Sequence, residues 1–386
     1  MKKNVVLNGC DRLDSPEAAA LLSHRRLGLL TGASGVTKNL RQSAEVLGER
    51  FRLEALFGAE HGIRGAAQDN FTDPDCVTDT VTGLPVYNLC NLASTERAEE
   101  AISQLDGVAV DLQDVGVRYY TFQFAMLDAM KLCAKHGKEL IVLDRFCPIG
   151  GEGFGGLLLD EDCVSVIGRV PGQSAYCGMT MGELALWFNS HLSIGAKVSV
   201  LPCRGWERRM WFDHTDHLFV PPSPNLPCLD AILTYIAVCM FEQTSVSEGR
   251  GTTRPFELFG APWMDPQRVV NALEHLPPEE KEAFEGLVFR PTYFKPTFHK
   301  YQGELCGGVQ LHVRDRYAPK PFTAGLVLHK LLRELYPKDY VFHEKMTHVV
   351  GTCAVLNEDF DPIACLDGQK AALAEFGKAR QKHLLY

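Results

Sequence analysis

The sequence predicts an α/β protein with a Rossmann-like parallel-sheet domain and a second, smaller α+β domain. Short apolar runs ending in polar residues recur through the first half, and a segment with helical spacing separates two of them. A proline-rich passage then closes the alternation.

The first run, Arg26-Leu27-Gly28-Leu29-Leu30, ends in Thr31-Gly32. The second, Arg52 to Phe57, ends at Gly58, with Glu60 and His61 just beyond. The third, Gly107 to Val110, ends at Asp111, followed by Gln113 and Asp114, and the fourth, Glu139 to Leu143, ends in Asp144-Arg145. Between the third and fourth, Phe122 to Leu132 sets apolar side chains at helical spacing. Runs this short and apolar suit strands of a parallel sheet covered by helices on both faces. Such sheets bind ligands in the crevice beyond the carboxyl ends of their strands, so the polar residues there carry information. Any one of them reads as a helix cap; four groups on one edge read as a site.

The passage Val220-Pro221-Pro222-Ser223-Pro224-Asn225-Leu226-Pro227 can continue neither a helix nor a central strand. It divides the sheet-like half, residues 1–215 carrying Glu60, from residues 216–386, where mixed periodicity suggests a smaller α+β domain. A linker is its plainer use, and Asn225 is its candidate pocket residue. The tail from Ala371 to Tyr386 reads as a helix with a solvated basic face.

Composition narrows the function. With 46% hydrophobic and 23% charged residues over 386 positions, the chain can bury a sizeable core. A net charge of −9 gives no footprint for nucleic acid or an anionic membrane, so neither is expected as a partner. The 13 cysteines are scattered, without a C-x-x-C pair, and several sit in apolar runs. That usage suits reduced, buried thiols and a reducing compartment. After Met1-Lys2-Lys3 the apolar stretch Val5-Val6-Leu7 is too short for an export signal, and no segment is long enough to span a bilayer. A cytoplasmic location is expected.

Several motifs bear on chemistry. Thr31-Gly32-Ala33-Ser34-Gly35 follows a strand but lacks the further glycines of a dinucleotide turn, so no nucleotide cofactor is expected. In Phe57-Gly58-Ala59-Glu60-His61-Gly62-Ile63-Arg64-Gly65, glycines bracket a carboxylate, an imidazole and a guanidinium. A carboxyl half removed from water suits general acid work near neutral pH; a surface loop with a local Glu–Arg pair is the alternative. Asp111 to Tyr120 joins acids, Gln113, Arg118 and aromatic rings, a mixture that suits sugar hydroxyls and apolar ring faces. A capped helix start with its tyrosines in the core is equally compatible. Ser247 to Glu257 is dense in glycine, hydroxyls and arginine, so Arg250 and Arg254 can clamp an anion or join a structural Arg–Glu network. Asp213-His214-Thr215-Asp216-His217 has ligand-type residues without a matching distant cluster, and no metal site is expected.

Taken in order, LGLLTGASGVTKNL, FGAEHGIRG, TGLPVYNL, DLQDVGVRYYTF, IVLDRFCPIGG, GMTMGELA, GWERRMWF, PPSPNLP, SEGRGTTRPFELFGAPW, PTFHKYQGELCGGVQLHV and HLLY resemble the NamZ-type exo-β-N-acetylmuramidases. The resemblance covers nearly the whole chain. It implies a cleft between two domains and release of N-acetylmuramic acid from the non-reducing ends of peptidoglycan fragments. The family's carboxylate falls on Glu60 and its D-R strand end on Asp144 and Arg145. Glycoside hydrolysis needs an acid and usually a second carboxylate. Glu60 is expected as the acid and Asp144 as its partner, ahead of Asp114 and Glu248.

The expected substrate-binding set is His61, Arg64, Gln113, Asp114, Arg118, Tyr120, Arg145, Asn225, Glu248, Arg250, Arg254 and His299. Arg118, Arg250 and Arg254 are the candidates for the lactyl carboxylate of muramic acid. The chain departs from the family pattern at Phe146-Cys147, at Gly155, where the family has a glutamate, and at Cys177. Another amino-sugar glycoside, or a catalytically inactive sugar-binding role, therefore stands as the alternative. The expected partner is a small amino sugar or muropeptide; the oligomeric state is left open.

Overall fold

A computed structural model describes residues 3–67, 76–89 and 95–386. Its main sheet contains β1 (Leu27–Thr31), β2 (Leu53–Gly58), β3 (Cys76–Thr78), β4 (Pro85–Asn88), β5 (Gly107–Asp111), β6 (Glu139–Leu143) and, after the β7 (Gly155–Leu158) and β8 (Ser174–Tyr176) ribbon, β9 (Lys197–Leu201). The strand order is β3-β4-β2-β1-β5-β6-β9, parallel except for β3.

Alternation along each strand explains the two covered faces. Leu27 and Leu29 of β1, Ala109 of β5, and Ile141 and Leu143 of β6 pack with helices Pro16–Leu22 and Ser43–Arg50. Their neighbours Leu30, Val108, Val110, Leu140 and Val142 pack with helices Thr95–Gln104, Phe122–Lys135 and Met181–His191. Thr31 pairs with Gly58 on one side and Asp111 on the other, so these strand ends lie level along one edge.

The seven-stranded sheet lies wholly before residue 216. Beyond it, β10 (Leu258–Ala261), β11 (Leu287–Phe294) and β12 (Cys306–Val313) form an antiparallel sheet in the order β10-β12-β11. Helices Leu229–Val238 and Pro266–Glu274 pack against it, and Pro321–Leu335 packs on those two helices. One apolar cluster runs from Leu30 through Tyr235 to Phe376, so the two units share a core.

Two expectations change. The proline-rich passage is not a solvated linker, because Pro222, Ser223, Asn225 and Leu226 are buried. Nor is the C-terminal helix, Lys370–Gln381, basic and solvated all along its polar face. Phe376 and Arg380 are buried, and Arg380 donates to the carbonyls of Cys177 (2.6 Å) and Gly178 (3.0 Å), where it helps close the first unit. Gly155, where the chain departs from the family's glutamate, is tightly enclosed: a Cβ there would lie 2.6 Å from the Tyr176 hydroxyl.

Eleven of the cysteines, Cys10 and Cys163 among them, are free thiols, and among the described residues no helix is long and apolar enough to cross a membrane.

Candidate active site

The chain leaves β2 through two successive tight turns: Gly62 N–H donates to the Ala59 carbonyl (3.0 Å) and Gly65 N–H to that of Gly62 (3.3 Å). Gly65 sits at φ +67°, and a Cβ there would strike the Ala33 methyl at 2.6 Å, so this glycine lets the loop close on the turn after β1. His61 adopts φ +70°, a left-handed conformation that costs a non-glycine residue about 1–3 kcal/mol. Its Nδ1 lies 3.0 Å from the Ala67 carbonyl. Glu60, half-buried between these turns, accepts a hydrogen bond from the Thr121 hydroxyl just before helix Phe122–Lys135.

The β5 end supplies the next wall. Asp114 accepts from the Gly116 N–H (2.7 Å) through Oδ1, while its buried Oδ2 has no partner among the described residues. Burial pushes its carboxyl up to about 7, against the pull of backbone N–H groups. Tyr120 is buried against Phe122 (ring centroids 4.7 Å) and Tyr235 (6.4 Å), and its hydroxyl also lacks a partner among the described residues. Burial raises that phenol, and the charges of Asp114 and Glu60 raise it further.

The second unit closes the other side. Tyr235 packs on Phe256 (4.8 Å), Arg250 lies over the Phe256 ring (5.3 Å), and Arg250 Nη2 is 2.6 Å from Glu242 Oε1. Glu242 is 22% exposed. Burial raises its carboxyl; Arg250 opposes the rise, and Glu248 and Glu60 add to it. Glu248 is fully buried, 3.1 Å from Lys300 Nζ and 3.3 Å from His299 Nδ1. Burial disfavours its charge, but His299, Lys300 and Arg250 outweigh that and hold it down at about 2. His299 is raised in turn, chiefly by its bond to Glu248, and it too sits at positive φ, +67°. Lys300 also donates to the carbonyls of Phe241 (2.6 Å) and Val246 (2.9 Å), fixing the turn that presents Glu242.

Other expected residues lie elsewhere or are otherwise engaged. Asp144 is fully buried and accepts four bonds: from Arg145 N (2.9 Å), Gly182 N (2.7 Å), the Thr180 hydroxyl (2.7 Å) and the Tyr386 hydroxyl (2.7 Å). With all its lone pairs engaged, it has no face for a substrate. Arg145 forms a buried fork to Asp111 (2.7 and 2.9 Å) and also binds the Val36 carbonyl. Arg118, also fully buried, gives Nη1 to the carbonyls of Leu157 and Gln173 and Nη2 to those of Val349 and Val350. Neither guanidinium can reach a ligand, so the expected substrate contacts of Arg118 and Arg145 give way to framework bonds. Gln113 donates to the Asp114 and Phe146 carbonyls. Arg64 turns away to Asp79 (2.9 Å), and exposed Arg254 faces Glu257 (3.3 Å). Asn225 is buried, with its N–H donating to Ser223 Oγ (3.4 Å).

Sequence reasoning missed Thr121, Glu242 and Lys300. Glu242 had a signal, since it is the acid that ends the apolar run Ala237 to Phe241. The Asp213–His217 segment is occupied structurally: Asp213 pairs with Arg316, Asp216 with Lys38, and His217 Nε2 lies 3.0 Å from the Val6 carbonyl. Among the described residues no three His, Cys, Asp or Glu side chains gather as metal ligands.

Two family models together cover most of the chain. The family model described as Exo-beta-N-acetylmuramidase NamZ, N-terminal, matches residues 27–230, and its C-terminal counterpart matches residues 233–386. The chain is 37% identical over 395 aligned positions to Peptidoglycan beta-N-acetylmuramidase NamZ of Bacillus subtilis (strain 168), covering 100% of this chain and 92% of that protein. A crystal structure of a DUF1343 family protein from Bacteroides fragilis NCTC 9343 superposes with a TM-score of 0.87 at 27% identity, covering 99% of each chain. A second DUF1343 protein of that organism gives 0.76 at 27% identity with the same coverage.

Proposed function

The chain belongs to the NamZ family of exo-beta-N-acetylmuramidases, a glycosidase family, and from that membership we propose that it releases N-acetylmuramic acid from the non-reducing ends of peptidoglycan fragments. The observation that carries the proposal is Glu60, a half-buried carboxyl at the β2 end, bonded to Thr121 and close enough to Glu242 for its charge to raise the Glu242 carboxyl.

Glu60 protonates the glycosidic oxygen as the sugar leaves. Glu242 takes the second carboxylate role instead of Asp144. It is partly exposed, it stands in the second unit across from Glu60, and Arg250 holds it in place. Asp114 and Tyr120 offer a buried carboxyl oxygen and a hydroxyl to the sugar's own hydroxyls. His299, which its bond to Glu248 shifts toward the protonated form, and Arg250 meet the lactyl carboxylate that distinguishes muramic acid from glucosamine.

We place its action in the cytoplasm, on muropeptide sugars taken into the cell for recycling. The free thiols support that reading, because they suit a reducing compartment. Cell fractionation with detection of the protein in the soluble cytoplasmic fraction checks this; recovery from the medium or the wall overturns it.

The activity is tested with a chromogenic N-acetylmuramic acid β-glycoside beside its N-acetylglucosamine counterpart. Cleavage of the first with little of the second is the expected result. Cleavage of the glucosamine glycoside alone would make this an amino-sugar hydrolase of different specificity, and cleavage of neither would leave a sugar-binding protein.

A further inference from the structure

Cys163 ends a short turn, Glu161–Cys163, between β7 and β8, and Cys353 begins another, Cys353–Leu356, in the second unit. They are 190 residues apart in sequence, yet their sulfurs lie 3.6 Å apart. Cys163 is buried, whereas Cys353 is exposed. The two turns flank the seat of Arg118, whose guanidinium already joins the same two regions: Leu157 and Gln173 on the ribbon side, Val349 and Val350 on the other. The Asp160 N–H adds a bond to the Gly351 carbonyl at 2.8 Å. Backbone bonds thus hold the two sides together, and the sulfurs need only close from 3.6 Å to a bond of about 2.05 Å.

We propose that Cys163 and Cys353 form a thiol–disulfide exchange site, which a small-molecule disulfide such as oxidised glutathione converts into a bridge tying the β7–β8 ribbon to the second unit. Cys353, the exposed partner, loses its proton and attacks one glutathione sulfur. The small disulfide breaks, and one glutathione leaves as a thiolate that takes up a proton. Cys163 then loses its proton and attacks the Cys353 sulfur, releasing the second glutathione, which is protonated in turn. Two cysteine thiols are oxidised and one small disulfide is reduced to two thiols, so atoms and electrons balance. Burial pushes the Cys163 thiol up to about 12, so its step is the slower one and the mixed disulfide on Cys353 builds up first. The bridge reinforces the Arg118 seat, from which Tyr119, Tyr120 and Thr121 lead directly to Glu60.

The test treats the reduced full chain with oxidised glutathione at neutral pH and follows intact mass and non-reducing peptide maps. The expected course is a transient gain of one glutathionyl group on Cys353. Loss of two hydrogens and a Cys163–Cys353 peptide pair then follow, reversible by dithiothreitol. The bridged form also melts at a higher temperature than the reduced form. Cys163→Ser stops at the Cys353 adduct, and Cys353→Ser forms neither adduct nor bridge. A wild-type chain that keeps a stable Cys353 adduct overturns the proposal, as does a bridge that maps to other cysteines. So does a Cys353→Ser variant that oxidises at the wild-type rate.

Discussion

Asp144→Asn keeps the shape of the Asp144 side chain and removes its charge. Burial is the largest influence on this carboxyl and outweighs the bonds from Tyr386, Gly182 and Thr180, raising it from the usual 3.8 to about 6. The folded chain therefore holds this proton to higher pH than the unfolded chain does. The stability that comes with it is full below about pH 4 and is lost as pH rises through about 6. A shift of this size corresponds to about 3 kcal/mol at 1.36 kcal/mol per unit. The variant has no such titration. At low pH its amide places two hydrogens where the protonated acid has one, a mismatch costing about 1 kcal/mol beside Thr180 and Tyr386. Urea unfolding of both proteins from pH 4 to pH 7 should thus show the variant about 1 kcal/mol less stable at the acid end and about 2 kcal/mol more stable at the neutral end. Turnover of the muramic acid glycoside should stay within about tenfold of wild type, since Asp144 has no face for substrate. A stability gap that does not move with pH would refute the burial argument. A variant of intact stability that loses turnover by about a hundredfold or more would make Asp144 catalytic after all.

Glu248→Gln should cost about 3–5 kcal/mol, because it strands Lys300 beside a neutral group. Glu248 is held below its ordinary value, so its stabilising effect is present above about pH 4.5 and lost as pH falls toward 2; acid titration followed by circular dichroism should show that slope flattened in the variant. Arg250→Gln removes the group that opposes the rise of Glu242, and the acidic limb of the kcat/KM profile should move to higher pH; an unmoved limb removes Glu242 from the mechanism. Arg118→Met takes their guanidinium donor from the carbonyls of Leu157, Val349 and Val350, while that of Gln173 keeps its bond from Leu159 N–H, and should cost at least about 3 kcal/mol, seen as a lower melting temperature and soluble yield, with KM unchanged in whatever folds.

Much of the sheet was legible because β1, β2, β5 and β6 are buried on both faces and so carry largely apolar runs, interrupted within β2 only by Glu54. β4 begins with Pro85, and β9 is an edge strand with a mixed pattern, so neither announces itself. The strand-end rule brought Glu60, Asp111, Asp114, Asp144 and Arg145 to one edge, but an edge has an inside and an outside. Asp144 and Arg145 are polar because they knit strand ends to the Met181–His191 helix and to Asp111, a role with the same residue types as catalysis. Arg118 illustrates the limit again: a guanidinium beside tyrosines suits a sugar site and a basket of carbonyls alike, and only the partners decide. Glu242 depends on a contact with Arg250 and an electrostatic approach to Glu60 from a distant segment, which no local spacing encodes.

The kcat/KM of Glu60→Gln on a chromogenic N-acetylmuramic acid β-glycoside, read beside the affinity for free N-acetylmuramic acid, goes to the heart of the account. Glutamine keeps a bond to Thr121 but cannot supply the proton. Loss of about a thousandfold in kcat/KM with unchanged sugar affinity is the predicted result. A variant that retains turnover within about tenfold of wild type would contradict Glu60 as the acid.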